Sequence, residues 1–366
     1  MLHRFSKFLV ACTVLLILAG SLVTSHDAGL SVPDWPTSYG WNMFTFPPSM
    51  WVANILYEHG HRLIASTVGF LTIIMAVWLW IADPRRWLRW FGVATLGSVV
   101  AQGLLGGLTV LFFLPAAIST AHAGLAEIFF CMTVAIALFT SPGWDTGYRV
   151  RESFAESAIR VAKTANDSRP PDDAGRHMGP PLRALATTAT LLIYAQILVG
   201  ATMRHTGAGL AIPDFPWMFG HVIPDHWSRA IAIHFTHRAG ALLVTLTILA
   251  VFGHVASQYR GRRELMRPAT LLVALVAVQV TLGALTILSR RDPWTNSFHV
   301  LCGALVLTTS LVLTLRSWRE SIADYGLRIA DSIVDSGAGS ANRIHDVIRN
   351  PIRNPQSTIR NDGARA

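Results

Sequence analysis

Charge is what this sequence has least of. Only 14% of its 366 residues are Asp, Glu, Lys or Arg, and 52% are hydrophobic. An average soluble domain is about 25% charged, so this composition disfavours a water-soluble globular enzyme. Cysteine is nearly absent too. Cys12, Cys131 and Cys302 lie far apart in apolar runs, with no CxxC or CxxCH. That excludes a zinc ribbon and covalent c-type haem attachment, and it gives no disulfide framework. Acids are short against bases, 21 to 30, for a net charge of +9, and 28 of the 30 bases are Arg. On a soluble chain such an excess suggests nucleic acid. On a hydrophobic one it is first a question of topology.

What is present is long apolar runs. Eight of them, at about 8–25, 58–81, 91–113, 118–140, 184–203, 230–253, 268–288 and 296–315, reach or nearly reach the length needed to cross a ~30 Å hydrocarbon core. The first follows a basic start (Arg4, Lys7), as a signal peptide would. Its unbroken length and its match to a later span favour a retained helix. No Arg-rich, acid-poor transit peptide is visible. Loops on the N-terminal side carry 24 Lys and Arg, those on the other side 4. The positive-inside rule then places both termini in the cytoplasm. The basic excess reads as topology, and nucleic acid is not an expected partner. Outer loop 26–57 holds Trp35, Trp41 and Trp51, as interfacial rings would.

The two halves repeat each other. Residues 28–36 (Ala-Gly-Leu-Ser-Val-Pro-Asp-Trp-Pro) align with 208–216 (Ala-Gly-Leu-Ala-Ile-Pro-Asp-Phe-Pro), and Glu58-x-x-His61-Arg62 with His234-x-x-His237-Arg238. Gln102-Gly-Leu-Leu-Gly-Gly-Leu-Thr aligns with Gln279-Val-Thr-Leu-Gly-Ala-Leu-Thr, and His122 with His299. The offset is 180 residues at the first motif and 176–177 afterwards. Four spans per half give both repeats one orientation, with a pseudo-twofold axis along the membrane normal. The expected fold is an all-α integral membrane protein of two four-helix bundles, residues 1–140 and 184–316. A cytoplasmic linker, 141–183, joins them. A tail, 317–366, carries two Arg-Asn-Pro repeats and is expected to be disordered or peripheral.

Ionisable groups inside spans are costly and usually functional. The charged ones are Glu58, Arg62, Glu127 and Arg238; the histidines are His59, His61, His122, His234, His237 and His299. His61 and His122 enter their helices from the outer side and lie at similar depth, and His237 and His299 repeat this. Two facing imidazoles can supply both axial ligands of a haem iron. They do not make a zinc site, which takes four ligands or three plus water. His59 points about 160° away from His61 and is the weaker candidate. His3, His177, His254 and His345 are expected to be solvated. Glu58 shares a helix face with His61, whereas its counterpart is His234. A site with an acid beside it suits chemistry, and one without suits electron storage. Glu58 can also pair with Arg62. Arg62 and Arg238 match in position, either as forks for haem propionates or as residues reaching the outer interface. Glu127, about 140° round its helix from His122, is expected to meet another helix. Gly103, Gly106 and Gly107 read as a close-packing face.

At these residues the chain resembles the haem A synthase family. The likeness runs from about residue 10 to 316 and rests on the motifs just quoted, His122-Ala-Gly included. It implies eight transmembrane helices in two bundles and oxidation of the C8 methyl of haem O to a formyl group. It implies a haem b cofactor, with its iron, at His237 and His299, and the haem O substrate at His61 and His122. Glu58 matches the family's proposed catalytic acid. Asp34 and His234 belong to the wider set of candidate residues. The implied setting is a bacterial inner membrane, with the site toward the outer face and membrane lipid around it. The implied partners are a haem O synthase and an electron donor, and a homo-oligomer is compatible with all of this. Some members carry a cysteine pair in the first outer loop; here those places hold Val32 and Ser38, so no disulfide can form. The main alternative is a di-haem b electron-transfer protein of the quinol dehydrogenase kind, which leaves Glu58 unexplained. A transporter or channel is the third class, and it wants polar groups near mid-membrane rather than at the outer end.

Overall fold

The structure is a computed structural model and describes residues 1–144 and 182–335. Most of the 141–183 linker, the tail past 335, His177, His345 and the Arg-Asn-Pro repeats lie outside the described residues. Within them every named element is helical. The long helices are α1 (Leu2–Ser25), α2 (Asn54–Ala82), α3 (Arg86–Leu111), α4 (Ala116–Phe139), α5 (Leu182–His205), α6 (Arg229–Gln258), α7 (Arg263–Leu288) and α8 (Pro293–Asp335). All eight are long and apolar enough to cross a membrane. The shortest have 24 residues, about 36 Å of helix for a core of about 30 Å.

Their ends follow local chemistry. Asp83 is extended at the end of α2, as a residue before proline must be. Pro115 precedes α4. Ser228 caps α6, its Oγ accepting from the Ile231 N–H at 3.2 Å. Asp292 caps α8 by accepting from the Thr295 N–H at 2.9 Å, with Pro293 in the first turn where its missing N–H costs nothing. The helices outrun the apolar runs because polar and aromatic ends continue the turns into the interface. Two consequences differ from expectation. His3, expected to be solvated, is half-buried: α1 starts at Leu2, and the His3 Nδ1 lies 3.0 Å from the carbonyl of Ala137. The stretch 317–335 continues α8 as helix, which replaces the disordered alternative there and leaves the peripheral one open.

Residues Met1–Trp144 and Pro180–Ser317 form one compact unit. In it α1 to α4 close a ring, each touching the next and α1 touching α4, around Leu9, Val68, Met75, Leu79, Phe129 and Ile136. Helices α5 to α8 share a second core that includes Ala186, Ile193, Ile248, Val255, Leu272 and Leu307. Thr190 ties α5 to α8 through Ser310 and Thr314, at 2.8 Å each. Helices α4 and α5 pack together, with Gly124 so close to Leu198 that a Cβ would come within 2.7 Å of it.

Candidate functional site

The loops that follow α1 and α5 are each built on one aspartate. Asp34 accepts from the backbone N–H of Tyr39 at 2.7 Å and of Gly40 at 2.9 Å, and from the Thr37 hydroxyl at 2.5 Å. Burial works against its charge, but the donors from Gly40, Thr37 and Tyr39 outweigh it and hold the carboxyl below its usual range. Asp214 does the same in the second loop, accepting from Phe219 at 2.9 Å and Gly220 at 3.0 Å. Gly40 and Gly220 have φ of 77° and 81°, which glycine adopts without strain. Asp34 is thereby a turn-former. Of the loop tryptophans, Trp41 is exposed, whereas Trp51 lies 4.8 Å from the His59 ring and Trp35 covers Gly107.

An arginine pins each loop to its helix. The Arg62 Nη1 donates to the carbonyls of Asp34 (2.8 Å) and Thr37 (3.0 Å), and Nη2 to Val32 (2.8 Å) and to the Glu58 Oε1 (2.7 Å). The Glu58 Oε2 accepts from the Val32 N–H at 2.7 Å. Arg238 repeats the pattern on Trp217 (3.0 Å), Ile212 (3.0 Å) and Asp214 (2.6 Å). Its Nε faces the His234 Nε2 at 3.2 Å, and the Ile212 N–H faces the His234 Nδ1 at 3.2 Å. The donors wanted by the propionate reading of Arg62 and Arg238 are thus engaged with loop carbonyls. Glu58 and His234 occupy equivalent cradles. The carboxylate matches both of its donors. A neutral imidazole has a single acceptor nitrogen for two.

His59 anchors the same loop. It is fully buried, 3.2 Å from the Ser38 Oγ and 4.8 Å from the Phe46 ring. Val32 and Ser38 therefore contact Glu58, Arg62 and His59, and Cys12, Cys131 and Cys302 are free.

The four repeated histidines lie against glycines. A Cβ on Gly20, Gly106, Gly200 or Gly283 would come within 2.9, 3.1, 2.9 and 3.0 Å of the Cε1 of His61, His122, His237 and His299 respectively. Gly106 is thus a notch for an imidazole, while Gly103 meets nothing within 4 Å. Each pair is close enough for the charge of one ring to act on the other. The rings are held differently. The His299 Nδ1 donates to the Gln279 carbonyl at 3.1 Å, and the His237 Nδ1 meets the Gln196 amide at 3.0 Å. Both Nε2 atoms lack a hydrogen bond among the described residues. In the first half the Gln102 amide lies 3.3 Å from the His122 Nε2, and the Nδ1 atoms of His61 and His122 are buried without a partner among the described residues. A ring that donates through one nitrogen and is bare at the other is the arrangement of a metal-ligating histidine. His299 fits it, whereas the His237 Nδ1 accepts from the Gln196 amide, which puts the neutral ring's proton on Nε2. No group of three or more His, Cys, Asp or Glu among the described residues could hold a bare metal ion.

Three polar groups stand apart. Glu127 is buried near Cys131 and Tyr194, with its Oε2 unpartnered among the described residues. Arg204 lies one residue past the apolar run 184–203, and α5 continues through it. Its Nη2 donates to the Ser21 carbonyl and the Ser25 Oγ at 2.8 Å each, and its buried Nε has no partner among the described residues. Gln196 was missed because its first-half counterpart is Leu16, so the repeat did not mark it.

An eight-span helical membrane protein with two histidine pairs at one end of its helices, one of them beside a buried carboxylate, is the class these features define. The sequence model of the cytochrome oxidase assembly protein family (COX15-CtaA) matches residues 3–311, and the chain belongs to that family. It is 28% identical over 302 residues to a protein named Heme A synthase from Shouchella clausii, covering 81% of this chain and 90% of that one. It is 29% identical to a Heme A synthase from Symbiobacterium thermophilum, over 86% and 95% of the two chains. The one from Halalkalibacterium halodurans is 28% identical over 84% and 95%. The resemblance read from the motifs is borne out.

Proposed function

We propose that this chain is a haem A synthase, oxidising the C8 methyl of haem O to a formyl group with a haem b held in its second half. The observation that carries the assignment of roles is the exchange of Glu58 for His234 in otherwise equivalent cradles beside equivalent histidine pairs. His237 and His299 hold haem b, and the His299 ring, donating through Nδ1 with its Nε2 free of hydrogen bonds among the described residues, supports this. His61 and His122 receive haem O. Oxidation of an unactivated methyl lies beyond amino-acid side chains, and haem b supplies the redox chemistry when bound. The protein supplies the rest. Glu58, three residues before His61, handles protons at its carboxylate oxygens. Arg62 fixes that carboxylate and, through the carbonyls of residues 32, 34 and 37, closes the outer loop over the site. Arg238 closes the second loop in the same way.

In this reading residues 1–140 and 184–316 are two bundles related by a pseudo-twofold axis along the membrane normal. Both termini face the cytoplasm, and the site faces the outer side of a bacterial inner membrane. The substrate comes from a haem O synthase, and electrons pass to or from a separate carrier. Extraction of haem from the purified chain, expressed with a haem O source, tests the reading. Haem A or its alcohol precursor is expected. Haem B alone would instead favour the di-haem electron-transfer protein.

A further inference from the structure

The two glutamines that precede the α4 and α8 histidines by 20 residues sit differently. Gln279 turns its amide toward Gly303: a Cβ there would lie 3.3 Å from the Gln279 Nε2, tighter than ordinary contact. The Gln279 backbone carbonyl is left to take the His299 Nδ1–H. In the first half the matching position is Ala126, which carries a methyl where Gly303 has none. The Gln102 amide is instead turned onto His122, donating to its carbonyl at 2.9 Å and lying 3.3 Å from its Nε2. The His122 Nδ1 is buried without a partner among the described residues. An Nε2 that accepts from an amide has its lone pair engaged, and the same lone pair is what iron would take.

We propose that Gln102 is a built-in competitor for the iron-binding nitrogen of His122, and that the Ala126/Gly303 difference sets which half of the protein releases its haem. The inference rests on the assignment of haem O to the first half. A substrate site has to let go of its haem after each turnover, whereas a cofactor site must keep it. At His122 the Gln102 amide replaces the iron as partner when the haem departs. At His299 no side-chain donor is hydrogen-bonded to the ring among the described residues, and the carbonyl of Gln279 holds the ring in the ligating tautomer. Gln102 acts through His122 and is a positioning residue.

The test uses full-length protein carrying its haem b, loaded with haem O, and follows transfer of each haem to excess apomyoglobin by absorbance. A neutral hydrogen bond corresponds to about a two- to tenfold effect. Gln102→Leu and Ala126→Gly are each expected to slow haem O release by that factor, the first by deleting the donor and the second by giving it somewhere else to turn. Gly303→Ala, which crowds the Gln279 amide, is expected to speed haem b release by a similar factor. Simple structural damage would loosen haem O in the first two variants, so tightening separates the inference from a packing effect. Retention of haem b in Gln102→Leu and Ala126→Gly reports that the fold is intact. Release of haem O from both that is unchanged or faster than wild type would overturn the inference alone. Wild-type protein that retains haem b and takes up no haem O would overturn the assignment of the first half, and the inference with it.

Discussion

Arg62 and Arg238 bind carbonyls at matching loop positions, 32, 34 and 37 in one half and 212, 214 and 217 in the other. The remaining partner is a carboxylate in the first half and an imidazole in the second. The histidine pairs repeat this pattern of shared frame and changed detail. All four rings rest on glycine notches, yet only the second pair is held through both Nδ1 atoms. On the proposed reading, a duplicated scaffold keeps its loop clamp and its ring positions while one copy serves as cofactor site and the other as reaction site. The difference resides in Glu58/His234, Leu16/Gln196 and Ala126/Gly303, and each of these pairs can be tested by substitution.

The largest expected contrast is in haem content. His237→Ala and His299→Ala should each abolish haem b in purified protein, read from the pyridine haemochrome spectrum, while His61→Ala and His122→Ala retain it. Equal loss from all four would erase the distinction between the halves. The arginines come next. Arg62→Ala strands the buried Glu58 carboxylate and should cost about 3–5 kcal/mol. Arg238→Ala strands only carbonyls and a neutral ring and should cost about 1–3 kcal/mol. Thermal unfolding in detergent compares them, and equal shifts would mean that the ion pair adds nothing beyond the carbonyl contacts. His234→Glu is a smaller effect of opposite sign. It offers both the Ile212 N–H and Arg238 an acceptor and should stabilise by about 1 kcal/mol, again visible as a raised midpoint.

The smallest contrast concerns acid. Asp34 and Asp214 both have carboxyls held below their usual range, burial opposing and loop N–H donors prevailing. A lowered folded value means that their contribution is complete above the ordinary carboxylate range, near 4, and is lost as pH falls through the lowered value. Hydrogen exchange at Tyr39 and Gly40, corrected for intrinsic rates, should lose protection below about pH 4, in step with Phe219 and Gly220. Loss in one loop alone would show that the two turns are not equivalent.

Much of this was legible in the sequence because the physics is repetitive. Eight apolar runs gave eight helices, and the four histidines stood out by recurring at nearly one offset. The loop clamp was only half legible. Arg62 and Arg238 were marked by position, but the carbonyls they bind belong to a loop fold that depends on Asp34 and Asp214 drawing in N–H groups five and six residues ahead. The glycine notches were not legible, since Gly20 and Gly200 lie on other helices than the rings they admit. Gln196 and Arg204 escaped for the opposite reason: with Leu16 and Thr24 as counterparts, they break the repeat by which the rest was found. Their i-to-180 spacing points to them once the helices are aligned position by position, as singular polar residues facing a duplicated site.

In the proposed function Glu58 performs proton chemistry in the first half while the second half only holds its cofactor. Glu58→Gln is the direct probe, because the amide keeps an acceptor for the Val32 N–H or for Arg62 and removes the carboxylate. Haems extracted from membranes supplied with haem O should show haem A in wild type. In the variant haem O should accumulate, with haem b still bound at its normal level. Normal haem A from Glu58→Gln would contradict the claim.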